Sequence, residues 1–309
     1  VRPDGGYAVG WTFNCVGALA LPCPYPQIAL TDSAGAEQWR KGYGFADIFW
    51  KSSLEGLASS DNGYYAVGTF TYEQDPEGMI VFHTSPSGDS LWVFARNGTQ
   101  ETVYHGADVS AVDGGGCYAT GYSSITVWVG GPAPPDKILC IKFAENGDTL
   151  WSRRLGGNRY AHGHAIETTT DGGCVVAGES AIVGADTGMH IAKLDADGNA
   201  QWSTIAGGRG WDAAYGIRQT PDGGYVVAGA TRREAAERKD VLLVRLDGSG
   251  NELWSKHYGG ANDDIGYDVD HAPDGGYIVV GETESYGAGL KDLYLIKTDS
   301  NGGTGPAPR

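Results

Sequence analysis

An internal repeat constrains this chain more than any other feature of its sequence. The motif Asp-Gly-Gly-(Tyr/Cys)-Val-Val-x-Gly, with variations, returns about every 50 to 58 residues. Repeats of this length that hold several short strands each are typical of propellers and solenoids. The sequence therefore predicts a repeat architecture rather than a single deep enzyme core. The copies begin at Asp4, Asp61, Asp113, Asp171, Asp222 and Asp274.

The composition agrees with many strands joined by tight turns. Glycine supplies 50 of the 309 residues without a Gly-X-Y period, which places the excess in turns. The formal net charge of −16 would repel a phosphate backbone, so nucleic acid is excluded as an expected partner. No apolar run approaches the roughly 18 residues that span a bilayer, and no membrane span is predicted.

One copy of the repeat, within residues 163–210, shows the predicted strands most clearly. Alternating apolar runs separated by turn signals predict strands at 165–169, 174–179, 189–194 and 201–205. These strands would form an antiparallel meander whose apolar faces pack between neighbouring sheets.

The prediction for the whole chain is an all-β fold. It is a six-bladed β-propeller of four-stranded antiparallel blades, forming a single domain over residues 1–301. Residues 302–309 read as a Gly/Pro linker tail. The blades are expected at about 1–44, 45–98, 99–157, 158–208, 209–260 and 261–301.

The two ends of the repeat array predict an incomplete seam blade. The first copy begins at the end of its innermost strand, and the last copy stops after its third strand. Either the tail closes the last blade irregularly, or a segment from outside the chain lies along the exposed edge strand. The expected partners are therefore a protein or a second copy bound through the seam blade, with a surface glycan as a further candidate.

Tryptophan recurs four residues after the glycine that turns the third strand of a copy into the fourth. An indole at this position can cover the gap to the next blade and donate its N–H to a backbone carbonyl. We therefore expect a structural girdle on the outermost strands, formed by Trp39, Trp92, Trp151, Trp202 and Trp254.

The cysteines indicate two different roles. Cys15 and Cys23 bracket an insertion that the other copies lack, and a disulfide between them would close that loop. Cys117 and Cys174 replace the tyrosine of the repeat and are expected to be buried. The acidic, lysine-poor sequence and the predicted loop disulfide together favour an exported protein.

The full pattern resembles a known kind of repeat. Residues 206–281 carry it best, with the Gly-Gly pair before the first strand, the Asp-Gly-Gly turn and the Trp of the fourth strand; the matching positions include Gly207, Gly208, Asp212, Gly216, Ile217, Asp222, Arg245, Asp247 and Trp254. This pattern is similar to the secreted prokaryotic β-propeller repeats often called SBBP type. The resemblance implies an extracellular or cell-surface protein, often modular, whose repeats have no assigned catalytic residues.

Polar residues on the first strands form the best candidate site. In propellers the first strand of each blade lines the central channel, so its polar residues converge on one mouth. Aligning the copies places four residues near one level, three more a step inward and Asp268 after them. The first four are His105, His162, Asp212 and Asp264, and the next three are His164, Tyr215 and Tyr267.

Two interpretations of this constellation stay open. Imidazoles and carboxylates around one mouth could hold a divalent cation, a cationic ligand or a sugar. Alternatively, Asp212 and Asp264 hold the Gly-Gly loops through backbone hydrogen bonds, and His105 and His162 replace them in other copies.

A second recurring set consists of cations on the third strand, which need counter-charges if they are buried. Glu179 and Glu282, on adjacent second strands, are candidate partners, and we interpret the set as structural. The cations are Lys142, Lys193, Arg245 and Lys297.

No nucleophile elbow, His-Glu-x-x-His pair or phosphate loop occurs in the sequence. The predicted function is therefore a non-enzymatic binding or assembly module without a cofactor. One alternative is a polysaccharide hydrolase or lyase that uses Asp212 or Asp264 with His162 for acid–base catalysis. The other is a lectin that uses aromatic residues outside the repeat, namely Trp11, Trp50, Trp128 and Trp211.

Overall fold

The structure of the chain is a computed structural model. It describes residues 5–13, 25–44, 51–71, 76–99, 102–125, 135–181, 186–207, 210–233 and 238–305. These residues form strands and turns and contain no helix, so the predicted all-β class is confirmed. The predicted disulfide between Cys15 and Cys23 lies outside the described residues, as do Trp50 and Trp128.

The chain divides into two compact units, Val1–Asn158 and Arg159–Arg309. The division lies one residue from the predicted boundary between the third and fourth repeats. Each unit consists of antiparallel meanders, which are numbered in chain order.

Unit 1 contains three meanders in its described residues. Meander 1 has three strands, in meander 2 both β4 and β5 pair with β6, and meander 3 has four strands. The strands are β1 (Tyr7–Phe13), β2 (Tyr25–Thr31), β3 (Glu37–Gly42), β4 (Lys51–Ser52), β5 (Gly56–Ser60), β6 (Gly63–Thr71), β7 (Gly78–Thr84), β8 (Ser90–Arg96), β9 (Thr102–Ala111), β10 (Cys117–Ile125), β11 (Lys137–Phe143) and β12 (Thr149–Leu155).

Unit 2 contains three further meanders in the part that the structure describes. Meanders 4 and 5 have four strands each and are linked by one parallel bridge between Thr187 and Trp211, while meander 6 has three strands. The strands are β13 (Ala161–Thr168), β14 (Cys174–Ala181), β15 (Thr187–Leu194), β16 (Ala200–Ala206), β17 (Gly210–Gln219), β18 (Tyr225–Arg233), β19 (Asp240–Leu246), β20 (Glu252–Tyr258), β21 (Asp264–His271), β22 (Tyr277–Thr283) and β23 (Asp292–Thr298).

Within each unit the core lies between successive meanders. Met189 and Ile191 of β15 belong to the same buried cluster as Tyr225 and Val227 of β18. Every residue of β15 is buried because this third strand is covered on both faces, whereas the fourth strand β16 mostly alternates between exposed and partly buried residues. Cys117 and Cys174 are buried, as predicted.

The Asp-Gly-Gly turn joins the first and second strands of a meander. In meander 4 the Gly172 N–H donates to the Thr169 carbonyl, and Gly172 has a φ of 78°, which favours glycine. The next residue, Gly173, is required for a different reason. A Cβ there would collide with the Leu194 carbonyl and approach the Lys193 ammonium to 2.7 Å.

The last glycine of the motif is explained by an irregularity in the first strand. In meander 4 the pairing of β13 with β14 skips His164, which forms a β-bulge. The strand then places the His162 carbonyl against Gly178, where an added Cβ would clash. The same contact between a first-strand carbonyl and a second-strand glycine recurs at Gly121, Gly229 and Gly281, and Gly68 makes it with the carbonyl of Ser53, between β4 and β5.

The third-strand cations are paired with the aspartate of the Asp-Gly-Gly turn. The Lys193 ammonium lies 3.0 and 2.8 Å from the two carboxylate oxygens of Asp171. The same pairing joins Arg245 to Asp222, at 2.6 Å from each oxygen, and Lys297 to Asp274. We call these pairs the turn clamps.

The turn clamps correct one prediction from the sequence. Glu179 and Glu282 are not the partners of these cations. Glu179 lies 3.6 Å from the His162 ring nitrogen, and Glu282 pairs with Lys291 at 2.6 Å. Lys142 lies over the ring of Tyr118, 5.1 Å from its centroid.

Four of the five girdle tryptophans pack on the turn that follows the third strand of the next meander in the same unit. A Cβ on Gly88 would lie 2.8 Å from the Trp39 ring, and one on Gly250 would lie 2.6 Å from the Trp202 ring. The Trp92 indole N–H donates to the Glu145 carbonyl at 2.7 Å, and that of Trp202 donates to the Gly248 carbonyl at 3.1 Å. Trp254 makes the corresponding ring contact with Gly302, and Trp151 is largely buried next to Tyr118.

Candidate functional site

Three bulged residues on neighbouring first strands form a continuous row in unit 2. The strand pairing skips His164 in β13, Tyr215 in β17 and Tyr267 in β21. The ring centroids of His164 and Tyr215 are 5.2 Å apart, and those of Tyr215 and Tyr267 are 5.8 Å apart. We call these three residues the aromatic row. Bulges turn side chains out of the normal alternation, which explains why one residue of each strand joins the row.

The rings of the aromatic row are neutral at pH 7. Burial lowers the pKa of His164 from its ordinary 6.5, and the charge of Glu179 only partly opposes this effect. Burial raises the pKa of Tyr215, and the negative charge of Glu179 raises it further. Burial and the Glu282 carboxylate raise the pKa of Tyr267. Because 44% of Tyr267 is exposed, one end of the row is open to a ligand.

A second set of side chains lies further along the same first strands, beyond the aromatic row. Glu167, Arg218 and Asp270 each follow the bulged residue of their strand by three positions. The Arg218 guanidinium lies 3.1 Å from Asp268, and Glu167 accepts a hydrogen bond from the Gln219 N–H. We call Glu167, Arg218, Asp268 and Asp270 the charged row.

Burial raises the pKa of two carboxyl groups of the charged row, those of Glu167 and Asp268. It raises the pKa of Glu167 to about 7, against the lowering effects of the Gln219 N–H and the Arg218 charge. It also raises the pKa of Asp268, which Arg218 partly opposes. A carboxyl group that titrates near neutrality is a feature of functional sites, although structural networks share it.

The structure separates the four residues that sequence alignment placed at one level. His162 pairs across the sheet with Glu179, one position beyond the motif glycine, whereas Asp212 pairs with Thr231, two positions beyond it. Asp264 pairs with Thr283 at that same second position. Successive residues of a strand point to opposite faces, so this one-residue offset puts the aspartates and histidines on different faces.

Asp212 and Asp264 are fully buried and contact the glycine loops that precede their strands. Asp264 accepts hydrogen bonds from the Gly260 N–H at 2.9 Å and from the Ser285 hydroxyl at 2.7 Å. A Cβ on Gly207 would clash with the Asp212 carboxylate. These contacts are the ones expected if the two aspartates hold the Gly-Gly loops in place rather than bind a ligand.

His105 lies in unit 1, where it lines a cleft of about 330 Å³. Its ring stacks on Tyr122 with centroids 4.3 Å apart, and its Nε2 lies 3.2 Å from a carboxylate oxygen of Glu77. Ser52 and Thr69 also line this cleft.

Within the described ranges, no group of three or more His, Cys, Asp or Glu side chains is arranged to hold a metal ion. Two of the four tryptophans proposed as sugar-binding residues of a lectin, Trp11 and Trp211, are among the described residues. Each of them lies next to a cation. The Lys239 ammonium is 4.8 Å from the centroid of the Trp211 ring, and the Arg40 guanidinium is 5.1 Å from that of the Trp11 ring. In the described part of the chain, no helix is long and apolar enough to cross a membrane.

Sequence reasoning missed Glu167, Arg218 and Asp270. These residues occupy equivalent positions of three first strands but differ in type, so they do not appear as a motif. Aligning the copies on the motif glycine, with the bulge counted, would have found the set.

Comparisons with known proteins identify the fold class. No protein-family model matches the chain, and no curated protein matches it. Among solved structures, the chain is similar to an ulvan lyase, a polysaccharide lyase bound to a sugar with the repeat GlcA(1-4)Rha3S. The TM-score is 0.57 at 9% identity, and the match covers 97% of this chain and 77% of the lyase.

The chain is also similar to a Hadza microbial sialidase, with a TM-score of 0.53 at 12% identity. This match covers 92% of the chain and 65% of the sialidase, so the chain spans slightly less than two thirds of that protein. The neighbours are β-propeller-like proteins, and at these identities the likeness concerns the fold alone.

Proposed function

We propose that this chain is a non-enzymatic binding module that recognises a neutral glycan through the aromatic row. The observation that carries the proposal is the contiguous set of rings that the bulged first strands of meanders 4, 5 and 6 supply. Tyrosine and histidine rings offer an apolar face together with a hydrogen-bonding group, which suits the mixed surface of a sugar.

The charges around the row support a neutral ligand. His164, Tyr215 and Tyr267 carry no charge at pH 7, while Glu179 and Glu282 lie beside them. A polyanionic glycan would meet these carboxylates and the formal charge of −16 on the chain. Two propeller-like neighbours, the ulvan lyase and the sialidase, act on carbohydrates, which agrees with a glycan ligand without specifying one.

The test is a glycan screen with two variants and a matched control. Tyr267→Ala and Tyr215→Phe should each weaken binding, the first about five- to tenfold because about 1 to 1.4 kcal/mol of ring contact is lost. Tyr286→Ala removes a tyrosine that is 50% exposed but lies outside the row, and it should leave affinity unchanged. Equal binding by the wild type and Tyr267→Ala would contradict the proposal.

A second candidate function is a polysaccharide hydrolase or lyase. The observation that favours it is Glu167, whose pKa of about 7 suits a general acid or base and which lies three residues after His164. Release of new sugar ends that Glu167→Gln abolishes would support catalysis. Glycan binding without product formation would support the binding module.

The finer features of the fold and location are also proposals. We propose that the six meanders are the blades of a propeller, on the basis of the six sequence copies, and that the three-stranded meanders at the two ends leave its seam incomplete and unclosed within one chain. We further propose an extracellular or cell-surface location in a prokaryote. The acidic composition and the resemblance to SBBP-type repeats support this location.

A further inference from the structure

Meander 6 leaves one face of its sheet exposed. Side chains of β23 alternate, so that Tyr294 and Ile296 pack against meander 5 while Leu293 and Leu295 point away from it. Leu293 is 78% exposed, Leu295 is 64% exposed, and Val280 beside them on β22 is 38% exposed. We call these three residues the β23 face. An apolar patch on so acidic a chain marks a place where another surface packs.

The packing of meander 6 on meander 5 shows what such a face receives. Val241 and Leu243 occupy in β19 the positions that Leu293 and Leu295 occupy in β23, counted from the clamp cations Arg245 and Lys297. Both are fully buried. Their cover is a second meander, which contributes Val269, Tyr277, Val279 and Ile296 to the shared cluster.

Meander 1, in unit 1, exposes the matching half of that contact. Tyr7 and Val9 of β1 pair with Thr31 and Ala29, which is the position of Tyr277 and Val279 in meander 6 relative to the following turn. Tyr7 is 45% exposed and Val9 is 48% exposed. Their equivalents Tyr277 and Val279 are 4% and 1% exposed, because meander 5 covers them. We call Tyr7 and Val9 the β1 face.

We propose that the β23 face of one copy binds the β1 face of a second copy, in the packing that joins meanders 5 and 6. The complementarity is specific, since a tyrosine and a valine of one sheet meet two branched apolar residues of the other. Both outer strands also have an open edge: among the described residues β23 pairs only with β22, and β1 pairs only with β2. An open edge and an apolar face are both removed when another sheet packs there.

The two surfaces differ, so the contact is heterologous. Each copy that binds through its β23 face keeps a free β1 face, and addition can continue until the assembly closes into a ring or grows into a filament. The chain is then a subunit of a head-to-tail assembly. This inference is independent of glycan binding, because the aromatic row contributes to neither face.

The first test measures the mass of the full chain by sedimentation velocity over a hundredfold range of concentration. The expected result is a mass that increases with concentration through multiples of the monomer. A monomer at every concentration overturns the proposal. In that case, protection of Leu293 and Leu295 from solvent labelling would show that a segment of the same chain covers the face.

The second test uses variants that each block one face. Leu293→Lys with Leu295→Lys blocks the β23 face, and Val9→Lys blocks the β1 face; these side chains are exposed, so the fold should be kept. Each variant alone should be monomeric. Leu253→Lys is the matched control, because Leu253 is 58% exposed on β20 outside both faces, and it should assemble like the wild type.

Mixing the two blocked variants gives the sharpest outcome. The Val9→Lys copy keeps its β23 face and the other variant keeps its β1 face, so a mixture should form one-to-one dimers that grow no further. Failure to form these dimers, or continued assembly of either variant alone, overturns the proposal. Circular dichroism of each variant verifies that the sheets are intact.

Discussion

The turn clamp of meander 4 makes a prediction about stability that separates charge pairing from packing. The Lys193 side chain is 3% exposed, and its ammonium bonds both Asp171 oxygens and the Leu194 carbonyl. Asp171→Asn removes the counter-charge. It keeps an oxygen that can accept the hydrogen bonds that Asp171 now takes from the Thr169 hydroxyl and the Gly173 N–H.

The size of the effect follows from the burial of the two partners. Removing one partner of a fully buried pair costs about 3 to 5 kcal/mol, whereas an exposed pair contributes about 0 to 1 kcal/mol. The Asp171 side chain is 47% exposed, so water can partly replace it near the ammonium. We therefore expect Asp171→Asn to cost about 2 kcal/mol, or about 4 to 8 °C in the melting temperature of a unit of this size.

The matched substitution is Lys193→Met, which keeps most of the apolar stem and removes the buried charge. Replacing a buried cation by an apolar group of similar volume is often close to neutral, and we expect a cost of about 1 kcal/mol or less. The double variant should match Lys193→Met alone, so the coupling energy should equal the cost of Asp171→Asn, about 2 kcal/mol.

Urea denaturation at pH 7, followed by circular dichroism, measures all three variants, with Asp197→Asn on an exposed turn as a control for loss of one negative charge. If Lys193→Met costs as much as Asp171→Asn, the charge pair is not what the site depends on. The clamp would then act through packing of the lysine stem.

Three further predictions concern pH and glycine. Burial would raise the pKa of Asp171, but hydrogen bonds and the Lys193 charge outweigh it and lower this pKa to about 2. The stabilisation from the ionised Asp171 is therefore complete above pH 3.8, the ordinary pKa, and is lost as pH falls towards 2. In urea melts, the wild type should lose more stability than Asp171→Asn between pH 4 and pH 2. Burial raises the pKa of Glu167 to about 7. The contribution of the protonated Glu167 to stability is therefore complete below pH 4.5, the ordinary pKa, and is lost as pH rises through 7. Glu167→Gln should have a higher melting temperature than the wild type at pH 8 and the same melting temperature at pH 5. Gly178→Ala should cost about 1 to 3 kcal/mol, because its Cβ clashes with a carbonyl of the first strand, whereas Gly157→Ala, with no atom within 4 Å, should cost less than half as much.

Much of the fold could be predicted from the sequence because its turns are local. The predicted strand at 174–179 lies within Cys174–Ala181, and that at 189–194 lies within Thr187–Leu194. Asp-Gly-Gly fixes such a hairpin through one positive φ and its own hydrogen bonds, without reference to the rest of the chain. The number of blades and their closure depend on contacts between distant segments, for which no short motif exists.

The candidate site was harder to predict because it depends on the exact pairing of strands. The sequence places His164, Tyr215 and Tyr267 seven residues before the turn aspartates of their copies, and the structure brings their rings within 6 Å of one another in succession. Asp212 and His162 were wrongly aligned by one residue, and in a strand one residue reverses the face. The counter-charge of Lys193 was sought on a neighbouring strand, although the turn returns Asp171 to the end of the third strand.

The differences between copies are what locate function in a repeat fold. A residue that recurs in equivalent positions, such as the clamp aspartate or the motif glycine, is explained by a contact that each meander makes for itself. The bulge position is different: every bulge has the same backbone cause, yet it holds Ala107 in meander 3, His164 in meander 4 and tyrosine in meanders 5 and 6. Packing therefore does not dictate the side chain there. In unit 2 this freedom has been used to place three rings side by side, and this is why we assign ligand binding to the aromatic row rather than to the recurrent charges.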